Sequence, residues 1–115
     1  MNTEFEKHLT KEKFEVFMLL CAAGIDGIIK MSELEKIMEK YGLETYNEVF
    51  EVFKKMTNPD WLSFFKNHVA EFLPHAEDKR AFLQDLLAVI SADEHCAVKE
   101  CNFYKVVEML CNDEL

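Results

Sequence analysis

An eight-residue pattern that opens on Asp and closes on Glu occurs twice in this chain. The copies are Asp26-Gly27-Ile28-Ile29-Lys30-Met31-Ser32-Glu33 and Asp93-Glu94-His95-Cys96-Ala97-Val98-Lys99-Glu100. Each follows an apolar helical stretch, Met18 to Ala23 in one case and Leu86 to Ala92 in the other. That order places the Asp in a turn and the Glu on the next helix, so the chain is expected to contain two helix-loop-helix units. If the units pack on each other as duplicated hairpins, Asp26, Glu33, Asp93 and Glu100 converge on one acidic pocket.

Between and around these loops the apolar residues recur at three- and four-residue intervals. Phe14, Phe17, Met18 and Cys21 predict a helix from about Thr10 to Ala23, stopped by Gly24. Ser32 with Glu35, and Thr45 with Glu48, have the spacing of capping boxes and are expected to open the next two helices. Asn58-Pro59 predicts a fourth start, an N-cap followed by proline at the first helical position. Leu73-Pro74 predicts its end, because the residue before proline disfavours helical backbone. A helix from about Glu77 to Ala92 carries Phe82, Leu83, Leu86, Leu87, Val89 and Ile90, a face wide enough to predict a central position. The last runs from about Lys99 to Cys111. No segment alternates with a two-residue period, so the fold class is all-α, a single bundle of about six helices in two pseudo-repeated helix-loop-helix units.

At 115 residues, half of them hydrophobic, the chain suffices for one core and is read as one domain over residues 1–115, frayed at 1–8 and 112–115. Its formal charge of −9 repels phosphate backbones and anionic lipid surfaces, so nucleic acid is not an expected partner; the sign suits a cation, a basic protein or simple solubility. No run reaches the ~20 apolar residues of a membrane span, and the start of the chain is not that of a secretory signal, so a cytoplasmic location is expected. Cys21, Cys96, Cys101 and Cys111 form no C-x-x-C pair and are expected to be reduced and packed.

The acidic loops resemble half of a calcium-binding loop. That loop takes oxygen ligands at positions one, three, five, seven and nine, glycine at six and a bidentate Glu at twelve. Asp26, Gly27 and Glu33 occupy positions five, six and twelve, but Ala22 and Gly24 fall on one and three. Asp93 and Glu100 repeat five and twelve, with Val89 and Ser91 at one and three and Glu94 in place of the glycine. Neither loop alone completes a calcium shell. Two half-sites face to face can share one ion, and Ca, Mg or Mn is the expected class of cofactor. The competing reading is structural: Asp-Gly is an ordinary turn pair, and Glu in a helical first turn answers the macrodipole.

The combination of an apolar helix, Asp-Gly-x-Ile-x-x-x-Glu, a second helix and a later Ala-Asp followed by Glu resembles the TerB-like family, from about Phe14 to Leu110. That family includes tellurite-resistance TerB proteins and the helical domain attached to some DnaJ-type co-chaperones. The resemblance implies an all-helical, internally duplicated domain whose acidic loops bind a divalent metal or partner proteins in a stress response. Its acidic positions fall on Asp26, Glu33, Asp93 and Glu100, and its glycine on Gly27. The second loop departs from the pattern at Glu94, His95 and Cys96, and no His-Pro-Asp sequence is present, so co-chaperone activity does not carry over.

Other constellations are thinner. His95, Cys96 and Cys101 lack the fourth ligand of a closed zinc site. His68 and His75 show no evident carboxylate partner. Ser32 is expected as a helix cap, and neither Ser63 nor Ser91 has a positioned base. Trp61, Phe64 and Phe65 are expected in the core rather than on a binding strip. A non-catalytic domain that binds a divalent cation, an unidentified protein partner or both is therefore expected. The competing classes are a pure interaction module without metal and a small metal-dependent hydrolase.

Overall fold

The computed structural model describes residues 3–25, 27, 29–57, 59–92 and 98–113. Among them are seven helices and no strand: α1 (Thr3–Lys7), α2 (Lys11–Ala23), α3 (Met31–Tyr41), α4 (Leu43–Phe53), α5 (Trp61–Phe72), α6 (Ala76–Ile90) and α7 (Val98–Asp113). None is long and apolar enough to cross a membrane. The all-α class holds, with one helix more than the six expected.

The additional helix is α1, in a stretch read as frayed. A five-residue helix does not persist alone in water; this one is held by tertiary contacts. The Phe5 ring packs 5.6 Å from Phe17 and 6.3 Å from Phe64. Beside it, Glu6 Oε1 lies 2.9 Å from His68 Nε2, so His68 has the carboxylate partner that its sequence context did not reveal.

The central helix is α2, not α6. Every residue from Phe14 to Ala23 is buried, and α2 packs against α3, α4, α5, α6 and α7. Val16 to Ala23 is uninterrupted apolar sequence, and a helix apolar on all sides must be surrounded. By contrast α6 keeps a wet side, with Leu87 46% exposed while Phe82, Leu86, Val89 and Ile90 are buried. Around α2 the aromatic residues form the core: Phe14 contacts Phe64, Phe65 and Phe72 at 5.5–5.8 Å between ring centroids. Phe64 and Phe65 are fully buried and Trp61 packs 4.3 Å from Phe103, so these aromatics serve packing as expected.

Helix starts differ in detail from the capping boxes expected. Thr10 Oγ1 accepts from Lys13 N at 3.2 Å and opens α2. In α3 the helix begins at Met31, and Glu33 rather than Glu35 accepts from the backbone N–H of Lys30, at 3.2 Å. In α4 the Thr45–Glu48 box is displaced by a start at Leu43, immediately after Gly42, whose φ of +88° lets α3 and α4 join without a longer loop. Asp60 Oδ1 accepts from Ser63 N at 3.1 Å and caps α5; Asn58 lies outside the described residues. The predicted stop at Leu73-Pro74 is in place, and the buried Lys79 ammonium donates to the Leu73 carbonyl at 2.9 Å.

The cysteines also differ from expectation. Cys21 and Cys111 are buried thiols outside any disulfide, whereas Cys101 is disulfide-bonded. Burial pushes the Cys21 thiol far above its usual range, which makes it a packing residue rather than a nucleophile.

Candidate functional site

Glu33 and Glu100 are each the third residue of a helix, α3 and α7 respectively. Acids there are favoured by the positive end of the helix dipole, but in most proteins they remain in water. These two are 0% exposed. Although far apart in sequence, their carboxyl groups meet side chain to side chain.

One oxygen of Glu33 has a structural task, because Oε1 receives the Lys30 N–H at the start of α3. The other, Oε2, is buried and receives no hydrogen bond. The group opposite is a carboxylate too, so with both acids ionised Oε2 faces an acceptor and repulsion adds to desolvation. Two additions relieve this: a proton shared between the carboxyls, or a cation between them. Burial, followed by the close approach and charge of the Glu100 carboxyl, pushes the Glu33 carboxyl up to about 8, against the lowering influence of the Lys30 N–H and ammonium. Near neutral pH the Glu33 carboxyl therefore favours its protonated form.

Of the residues expected at the acidic pocket, Glu33 and Glu100 are thus brought together. Asp26 and Asp93 lie outside the described residues, as do Glu94, His95 and Cys96. Gly27 is exposed with φ +85°, a left-handed conformation that a side chain would strain. Among the described residues no group of three or more His, Cys, Asp or Glu is arranged to hold a metal ion. The two glutamates supply hard oxygen donors of the kind Ca, Mg and Mn take, but fewer than the six to eight oxygens of a calcium shell. The zinc reading of the second loop loses Cys101, whose sulfur is already bonded.

Two features of the site were missed in the sequence. The Lys30 N–H anchors Glu33, which no side-chain pattern signals. Met31 and Val98, each two residues before its glutamate, are 63% and 76% exposed, so each helix start presents an apolar side chain to solvent beside the buried acid. Here a signal was present, since both copies of the pattern carry an apolar residue at that offset.

No protein-family model, curated protein or solved structure matches this chain.

Proposed function

We propose that this chain is a non-catalytic, TerB-like helical domain that takes up a divalent cation at the junction of its two acidic helix-loop-helix units and engages a protein partner over the same junction. The observation that carries the reading is the pair of fully buried carboxyls, Glu33 and Glu100, facing each other from two helix starts. A pair of acids serving only as caps has no reason to be buried together, because each pays for the charge of the other. The cation supplies positive charge between hard oxygen donors; Glu33 and Glu100 hold it, and Asp26 and Asp93 complete the expected ligand set. Met31 and Val98 give the partner an apolar contact beside the site. The stress-response role follows from the sequence resemblance to the TerB-like family.

Thermal melts with and without Mn²⁺ or Ca²⁺ at pH 8 test the cation reading. A saturable rise in melting temperature is expected for the parent protein and is lost in Glu33→Gln and in Glu100→Gln. At a cation concentration of about one hundred times Kd the expected stabilisation is about 2.7 kcal/mol. An equal response in parent and variants contradicts the reading and leaves the interaction module without metal.

A further inference from the structure

A second cavity, away from the glutamate pair, lies where α2, α3 and α6 meet. It measures about 400 Å³ and is lined by Glu12, Glu15, Tyr41, Phe82 and Asp85, among others. An adjoining space of about 250 Å³ shares Tyr41, Lys40 and Asp85 with it. Glu15 is part of the wall, only 6% exposed.

Charges around this cavity are unevenly matched. Lys11 Nζ is 3.4 Å from Asp78 Oδ1, and Lys40 Nζ is 3.0 Å from Asp85 Oδ2, so both rim lysines are engaged with aspartates. Among the described residues none forms an ion pair with Glu15. Its Oε1 accepts a hydrogen bond of 2.5 Å from the Tyr41 hydroxyl, and Oε2 receives none from any described residue. Desolvation raises the Glu15 carboxyl above its usual range in spite of that bond and of the more distant Lys11 and Lys40 charges, which compensate its burial only in part.

We propose that this cavity is a binding site for a primary alkylammonium group, seated with its nitrogen between Glu15 Oε2 and the Tyr41 oxygen and its methylenes along Phe82. An ammonium matches the one free carboxylate oxygen better than a guanidinium, which favours two parallel acceptors. A bare metal ion is the poorer fit, since no trio of described His, Cys, Asp or Glu side chains is arranged for one. The alkyl stem adds apolar contact with the aromatic wall that an inorganic cation lacks. Two sources carry this chemistry: a free alkyl diamine, and a lysine side chain of a partner drawn to a protein of charge −9.

Titration of the labelled protein with n-pentylammonium, and separately with neutral n-pentanol, tests the site by amide NMR. Saturable shifts at Tyr41, Ala81 and Phe82 are expected for the ammonium alone, with a midpoint of about 1–10 mM for so small a ligand. Glu15→Gln keeps an oxygen for the Tyr41 hydroxyl and removes the charge; it is expected to weaken binding at least about tenfold, a loss of about 1.4 kcal/mol. Shifts of equal size with pentanol, absence of saturation, or an unchanged midpoint in Glu15→Gln overturns the proposal. The pentanol comparison is made on the parent protein and so does not depend on the variant folding. Cadaverine and Nα-acetyl-lysine methylamide then separate the sources. Tighter binding of the diamine identifies a free amine, and tighter binding of the lysine amide a protein side chain.

Discussion

Phe14→Ala lowers folding stability by about 3–5 kcal/mol, as expected for deleting a large aromatic ring from a core that cannot close the gap. Phe14 is 0% exposed and its ring meets Phe64, Phe65, Phe72 and Phe82 at centroid distances of 5.5–6.3 Å. Those neighbours come from α5 and α6, so the void opens between the central helix and two of the helices around it. Met109→Ala is the control: Met109 is 62% exposed, and its truncation is expected to stay within about 0.5 kcal/mol. Urea unfolding of both variants checks the prediction, and a Phe14→Ala loss near that of the control would mean that α2 is not the centre of the fold.

The second large effect is on the pH dependence of stability. The Glu33 carboxyl is raised to about 8 in the folded protein, from the ordinary carboxylate value of 4.5 in the unfolded chain. Between those values the folded state binds more protons than the unfolded one, so stability falls as pH rises. The contribution is fully present below about 4.5 and is lost as pH passes about 8. Its size is at most roughly 5 kcal/mol, from about 1.4 kcal/mol for each pH unit between those two values. Glu33→Gln is expected to flatten this part of the profile and to be more stable than the parent protein at pH 8. The amide retains an oxygen for the Lys30 N–H and offers an N–H to Glu100, which makes it a fixed version of the protonated acid. A Glu33→Gln protein less stable than the parent at pH 8 would contradict the shared-proton description.

How much of this was legible in the sequence varies from residue to residue, for identifiable reasons. Helical periodicity located α2, α5, α6 and α7 to within a few residues, because each has an apolar pattern, and Gly24 and Pro74 mark the ends of α2 and α5. Helix α1 was not legible, since its order comes from Phe5 packing on Phe17 and Phe64 rather than from local preference. The wide apolar face of α6 points to a central position, but the continuous apolar run Val16 to Ala23 is the stronger signal and belongs to α2. At the site, the repeated pattern marked Glu33 and Glu100, whose shared offset is a property of sequence. Their complete burial against each other is a property of tertiary packing, which a pattern within either loop does not contain. Glu15 reads as one more polar residue on a helix until Tyr41, from α3, closes over it. The capping role expected of Glu35 falls instead to Glu33, because its partner is the backbone N–H of Lys30, which no side-chain signature marks.

In the reading proposed above, Glu33 and Glu100 form one site held by either a proton or a divalent cation. Proton release on cation binding tests it most directly, by calorimetric titration of Mn²⁺ or Ca²⁺ at pH 7 in two buffers of different ionisation enthalpy. A cation that enters the pair must displace the shared proton, so release of about one proton per ion bound is expected, falling toward zero well above pH 8. Binding with no proton released at pH 7 would contradict the account by placing the cation elsewhere on the acidic surface, and an absence of binding heat and stabilisation alike would leave the two carboxyls as a protonated pair that only closes the fold.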